Sequence, residues 1–206
     1  MLVIIDYKMG NVASVAKTFK AIYPDQVLVS NAAADIDQAR FIVLPGVGAF
    51  GDGMSNLRQL GLVEILNDKV LKGKTPFLGI CLGMQLLAEV GNEFGRHDGL
   101  GWIQGEVVKL QTANNLRLPH VGWNEIIVQK DDALLRDLLD NNFYFVHSYH
   151  LKVADSSLVT STCDYGQPFV ATIRKDNIFA TQFHPEKSQT AGLKLLHNFL
   201  NLSGHA

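Results

Sequence analysis

The first ninety residues alternate apolar runs with segments whose apolar residues recur at helical spacing, and this alternation restricts the fold more than any other feature of the chain. Leu2 to Ile5, Gln26 to Ser30, Phe41 to Leu44 and Pro76 to Ile80 read as strands. Val12, Val15, Ala16, Phe19 and Ile22 mark one helix face, and Leu57, Leu60, Val63, Leu66 and Val70 predict an amphipathic helix before the strand at Phe77. Strands joined through helices lie parallel, so the expected class is α/β, a central, mostly parallel sheet with flanking helices.

After Gly99 the texture changes to short β runs: Val107–Leu110, Ile126–Val128, Phe143–Val146, Leu158–Thr160, Val170–Ile173 and Ile178–Thr181. Asp176-Asn177 predicts a tight hairpin, so this half is expected to add antiparallel strands to the same sheet. Ala191, Leu195, Leu196 and Phe199 give a closing helix. With 206 residues, no internal repeat and no linker, one domain over 1–206 is expected. A net charge of −2 with scattered basic residues argues against a nucleic-acid partner and for a small-molecule substrate. Two cysteines, Cys81 and Cys163, read as free thiols in a reducing cytoplasm. The opening Met1-Leu2-Val3-Ile4-Ile5-Asp6 has no basic leader, and no apolar run approaches the ~20 residues of a membrane span, so no membrane association is expected.

The chemistry centres on Gly79-Ile80-Cys81-Leu82-Gly83, where the fourth apolar run passes through Gly-x-Cys-x-Gly into a helical pattern. That is the shape of a nucleophile elbow, with Cys81 on a sharp strand-to-helix turn. A helix dipole and unpaired amides there favour a thiolate, and the Leu82 amide is placed to meet an oxyanion. The plainer reading is a buried cysteine on a glycine-rich turn. Near the end of the chain, Gln182-Phe183-His184-Pro185-Glu186 follows a predicted strand, with an imidazole and a carboxylate two positions apart. His184 suits a base that takes a thiol proton and later gives it to a leaving amine, and Glu186 suits its orienter. The plainer reading here is a surface turn. Open parallel sheets bind ligands beyond the carboxyl ends of their strands, so the loops after Ile5, Leu44 and Ile80 are expected to crowd one edge.

With the Pro45-Gly46-Val47-Gly48 loop added, these motifs resemble the class I (triad) glutamine amidotransferases. Within them the chain looks most like the glutaminase subunits of imidazole glycerol phosphate synthase, through Leu44 to Met54, Pro119-His120-Val121-Gly122-Trp123-Asn124, Tyr144 to Tyr149 and Glu186-Lys187-Ser188. The resemblance covers essentially the whole chain. It implies a glutaminase that hydrolyses L-glutamine and passes ammonia to a separate cyclase subunit in a heterodimer, serving histidine biosynthesis. Close relatives also feed other acceptors, such as enzymes modifying bacterial surface sugars. It implies Cys81 as nucleophile, His184 and Glu186 as the rest of the triad, and a γ-glutamyl thioester intermediate. Val47 or Gly48 and Leu82 would supply oxyanion amides; Gln85, Glu93, Ser148 and Tyr149 would hold the substrate's α-groups. Asn11, Trp123, Tyr144 and Lys187 would meet the partner, although Trp123 and Tyr144 also suit a core. The family usually has glycine where this chain has Lys8, so a positive φ there would strain it. His120 and His147 read as structural histidines. His97, His150, His197 and His205 lack a ligand partner at suitable spacing, so no metal and no cofactor are expected. Cys163, in a β-rich segment without flanking glycines, reads as a bystander.

Overall fold

Leu2–Ile5 (β1) and Phe41–Gly46 (β3) have no polar side chain to turn toward water, and the fold covers both of their faces. In the computed structural model, which describes residues 1–10, 12–112 and 116–204, alternate residues of these strands enter two different cores. Leu2, Ile4, Phe41 and Val43 face one, with Val15 and Phe19 of α1 (Val12–Ile22) and Leu195, Leu196 and Phe199 of α6 (Gln189–Leu200). Val3, Ile5, Ile42 and Leu44 face the other, under residues 50–70. Each such aliphatic side chain contributes about 1.5–3 kcal/mol by leaving water, which fixes the strands between the two layers.

Between these elements lie β2 (Val27–Ser30), α2 (Ala33–Asp37), α3 (Phe50–Gln59) and α4 (Leu62–Leu66). The elbow region supplies β4 (Phe77–Cys81), α5 (Leu82–Gln85), β5 (Ala88–Gly91) and β6 (His97–Asp98). Seven further strands follow: β7 (Ile103–Lys109), β8 (His120–Val128), β9 (Asn142–His147), β10 (Tyr149–Val153), β11 (Val159–Asp164), β12 (Pro168–Lys175) and β13 (Ile178–Thr181). The large sheet has the order β2-β1-β3-β4-β13-β12-β11-β8-β9. Its pairings are parallel from β2 through β13 and antiparallel from β13 to β9, the expected α/β core with antiparallel strands added. The β12–β13 hairpin turns at Asp176, whose φ is +52°.

Three expectations are corrected. The single amphipathic helix before β4 is broken into α3, α4 and a π-helical stretch, Asn67–Lys72, because Gly61 adopts φ +66° and ends the first segment. The predicted Val107–Leu110 strand does not join the large sheet. It belongs to β7 in a second, four-stranded sheet of order β10-β7-β5-β6, where Ile103 and Val107 pack into the second core. Finally, the helical pattern after Cys81 yields only the four-residue α5, since Leu82 to Ala88 are buried on every side and offer no amphipathic stripe.

Candidate active site

The parallel register of β3, β4 and β13 pairs Gly46 with Cys81 and Thr181 with Ile80, so three loops leave the sheet at one edge. Cys81 carries the strain of the turn, with φ +54° and ψ −107°. Such a conformation costs a non-glycine residue on the order of 1–3 kcal/mol and persists only where the surroundings enforce it. The enforcement is visible at Gly83, where an added Cβ would lie 1.8 Å from the Leu44 carbonyl oxygen. The elbow is therefore pressed onto β3. With α5 only four residues long, the expected macrodipole stabilisation of a thiolate is small; what remains are the unpaired amides of its first turn, Leu82 foremost.

Cys81 and Leu82 line a pocket of about 170 Å³ with Val47, Gly48, Gln85, Glu93, Ser148 and Tyr149, so the sequence brings all of the implied oxyanion and substrate positions to one cavity. Gly48 takes φ +110°, a conformation that leaves its loop amides free to adopt an orientation other residues resist. Glu93 accepts a hydrogen bond from the Phe50 amide at 2.9 Å, so the same carboxylate that faces the pocket also anchors the start of α3 behind the Val47–Gly48 loop.

His184 Nδ1 lies 2.9 Å from Glu186 Oε1, and both side chains are almost fully buried, so the surface-turn reading of His-Pro-Glu does not hold. Burial alone would lower the imidazole pKa. Cys81 and then Glu186 outweigh it and raise His184 to about 10, so its protonated form is favoured. Its Nε2 is buried without a hydrogen-bond partner among the described residues, so Cys81 acts on it mainly by charge across the elbow. The ring is also clamped through its backbone: His184 N donates to Tyr144 O at 2.9 Å, while Ser188 Oγ donates to His184 O at 2.6 Å and accepts from Tyr144 N at 3.0 Å.

Several contributors escaped the sequence reading. Gln182 Nε2 approaches Cys81 Sγ at 3.7 Å, and its Oε1 accepts from Gln85 Nε2 at 3.1 Å. Gln85 also donates to Tyr149 O at 2.8 Å, so its amide nitrogen serves the protein and only its oxygen is left for a ligand. Tyr7 lies beneath the Pro45–Gly48 loop, with its hydroxyl unpartnered among the described residues and its pKa pushed far above the usual phenol range by burial and then by Cys81. Gln182 and Ser188 stand inside the motifs quoted above, and Tyr7 stands beside Lys8 in the loop after the first strand, but no spacing marked their contacts with the elbow.

Trp123 is 49% exposed and meets Tyr144 edge to face at 6.2 Å, with Lys187 Nζ 5.7 Å above the Tyr144 ring. Trp123 is therefore not a core residue. Exposed Val121 extends this patch toward Val146, whose carbonyl is 3.9 Å from Cys81 Sγ. Asn11, the fourth residue implied for a partner face, lies outside the described residues. Lys8 takes φ +64°, the strained conformation expected where the family has glycine. Cys163 is free and fully buried in the first core, its thiol pushed up to about 12 by burial and by Asp164. Among the described residues, no three His, Cys, Asp or Glu side chains cluster as a metal site, and no helix is long and apolar enough to cross a membrane.

A thiol with an imidazolium neighbour, an orienting carboxylate, and amides around a small pocket can perform nucleophilic acyl transfer on a carboxamide. Comparison with known proteins agrees. The profile of the family "Glutamine amidotransferase class-I" matches residues 3–202. "Imidazole glycerol phosphate synthase subunit HisH 1" of Campylobacter jejuni is 50% identical over 203 residues, covering 98% of this chain and 100% of that relative. The HisH subunit of Aquifex aeolicus is 50% identical over 198 residues (96% and 94%), and HisH 2 of Pseudomonas aeruginosa 41% over 203 (98% and 100%). Among solved structures, a glutamine amidotransferase superposes with TM-score 0.76 at 18% identity over 98% of both chains, and PurLQS from Thermotoga maritima with 0.74 at 17% over 97% of both. At those identities the structures speak for the fold. The profile spans nearly the whole sequence and curated members share half of its residues, so the chain belongs to the class-I glutamine amidotransferases.

Proposed function

We propose that this chain is the glutaminase subunit of an imidazole glycerol phosphate synthase, a single domain over residues 1–206 working in the cytoplasm with a cyclase subunit. The observation that carries the site reading is the strained Cys81 at the wall of the pocket, with the buried His184–Glu186 pair within electrostatic reach behind it. With the Cys81 proton transferred to His184, the sulfur attacks the glutamine side-chain carbonyl, and the Leu82 amide with an amide of Val47 or Gly48 meets the oxyanion. The imidazolium of His184 protonates the departing nitrogen, leaving ammonia and a γ-glutamyl thioester. Neutral His184 then takes a proton from water, hydroxide displaces the thiolate, and glutamate leaves. Glu93 faces the substrate ammonium, and Ser148 and Tyr149 border its carboxylate. The curated relatives, named as imidazole glycerol phosphate synthase subunits over their full length, support the cyclase partner and with it a place in histidine biosynthesis. The Trp123–Tyr144–Lys187 patch, joined to the pocket through Val146, is the surface on which such a partner would collect ammonia.

The test is Cys81→Ala in the complex with the cyclase. Glutamine-dependent synthesis is expected to vanish, while synthesis from added ammonium stays near the wild-type rate. Equal loss with both nitrogen sources overturns the division of labour, and a comparable loss in Cys163→Ala overturns the assignment of the nucleophile.

A further inference from the structure

His120 and His147, read from the sequence as structural, form part of a hydrogen-bonded chain that runs from the edge of β8 to the active-site sulfur. His147 Nδ1 lies 2.9 Å from Tyr149 O. A carbonyl can only accept, so Nδ1 carries the proton and, in a neutral ring, Nε2 accepts. Its donor is His120 Nδ1 at 3.0 Å, which leaves His120 Nε2 to accept from Asn124 Nδ2 at 3.3 Å. The second hydrogen of that amide goes to Asp164 O at 2.8 Å. Each of the four ring nitrogens is used once, with no choice of tautomer left. Burial favours the neutral rings this assignment requires, holding His120 at about 4 and His147 at about 3. His120 is also fixed by stacking, with Phe145 at 4.9 Å and Tyr165 at 4.1 Å between ring centroids. At the inner end the chain does not stop at Tyr149: the same carbonyl accepts from Gln85, which donates to Gln182, which approaches Cys81 Sγ.

We infer that the Asn124–His120–His147 relay is a positioning device, locking the Ser148–Tyr149 wall of the pocket to β8 and so to the strand whose opposite face carries exposed Trp123. The inference rests on the proposed function for its substrate and partner. His147 is the residue through which the two sides meet, because it pairs with His120 across the β8–β9 ladder and itself borders the pocket. A partner seated on Trp123 bears on the strand that sets the height of the Tyr149 carbonyl, and through it on Gln85 and the substrate wall.

The test measures glutamate release by the isolated subunit and by the cyclase complex, for wild type, His120→Phe, His120→Asn and Asn124→Leu, with active sites counted by alkylation of Cys81. His120→Phe keeps the ring stack but removes the donor to His147; one lost buried hydrogen bond is expected to raise KM for glutamine roughly five- to tenfold. His120→Asn places an amide N–H where Nδ1 stood, and should return KM to within about twofold of wild type by restoring that bond. Asn124→Leu, at the outer end and away from the core, covers the case in which the Phe variant does not fold, and is expected to raise KM roughly threefold through the unpartnered His120 Nε2. A merely structural role would lower the titrated number of sites and leave KM of the surviving enzyme unchanged. Unchanged KM in folded His120→Phe or in Asn124→Leu overturns the relay, as does a failure of Asn to do better than Phe. If wild type releases no glutamate while its Cys81 titrates fully, the proposed function fails instead.

Discussion

One carboxylate oxygen sets the orientation of His184. Glu186 Oε1 accepts from Nδ1, which fixes the tautomer that points a titrating Nε2 at the elbow and stabilises the imidazolium when it forms. In Glu186→Gln the amide fills the same volume, but it loses the charge and can present an N–H to Nδ1, which selects the wrong tautomer. Turnover is expected to fall by about 10²- to 10⁴-fold with KM for glutamine little changed. Steady-state glutamate release measures this, and near-wild-type kcat would remove Glu186 from the triad. That a His-Pro-Glu string would sit here was legible in the sequence, because the imidazole and carboxylate are two residues apart. The clamp of Ser188 and Tyr144 on the His184 backbone was not, since it joins residues 44 positions apart through two strands' worth of register.

The elbow shows how an element inherits its geometry from its neighbours. A Gly-x-Cys-x-Gly string announces a tight turn, but the reason for Gly83 is the Leu44 carbonyl of the adjacent strand. Gly83→Ala forces α5 away from β3 at the active-site edge and is expected to cost more than about 2 kcal/mol, lowering Tm by more than about 5 °C in a chain of this size. Gly61→Ala is the control. It meets nothing within 4 Å and keeps only the penalty of φ +66°, about 1 kcal/mol. Thermal unfolding of the two variants separates contact from conformation, and equal melting temperatures would refute the packing argument. The same dependence explains the missed second sheet: β5, β6 and β10 are short, β6 has no apolar residue, and the buried residues of β5 and β10 pack with Leu86, Trp102 and Ile103 rather than showing any period of their own.

At the scale of the whole molecule, the two cores and the buried histidines make stability depend on pH in a determined sense. His120 and His147 have folded pKa values near 4 and 3, below the unfolded value of about 6.5, so between these limits the unfolded chain binds more protons. Stability contributed by their neutral rings is present above pH 6.5 and is lost as pH falls toward 4 and then 3. His184 works oppositely, contributing below pH 6.5 and losing that contribution as pH rises toward 10. Denaturant unfolding at pH 7, 5.5 and 4.5 is expected to show a loss on the order of 3 kcal/mol from the relay histidines, and a shallower slope in His120→Asn, which lacks one of them. Identical slopes would contradict neutral burial.

Local sequence by itself determined the strands of the large sheet's parallel half and the faces of α1 and α6 packed on them, because strand burial and helical period are properties of neighbouring residues that need no partner to be read. It also located the elbow at Cys81 and the His184–Glu186 pair, since both are short-range motifs. Tertiary structure alone decided what those motifs touch. The division of the apolar residues between two cores, the break at Gly61, the separate sheet, and the hydrogen-bonded path from Asp164 through His120 to Cys81 all depend on which strand lies beside which. Hydrogen bonds of about 3 Å tolerate no slip in register, so a path whose links lie up to 101 residues apart in sequence exists only once the whole sheet is in place.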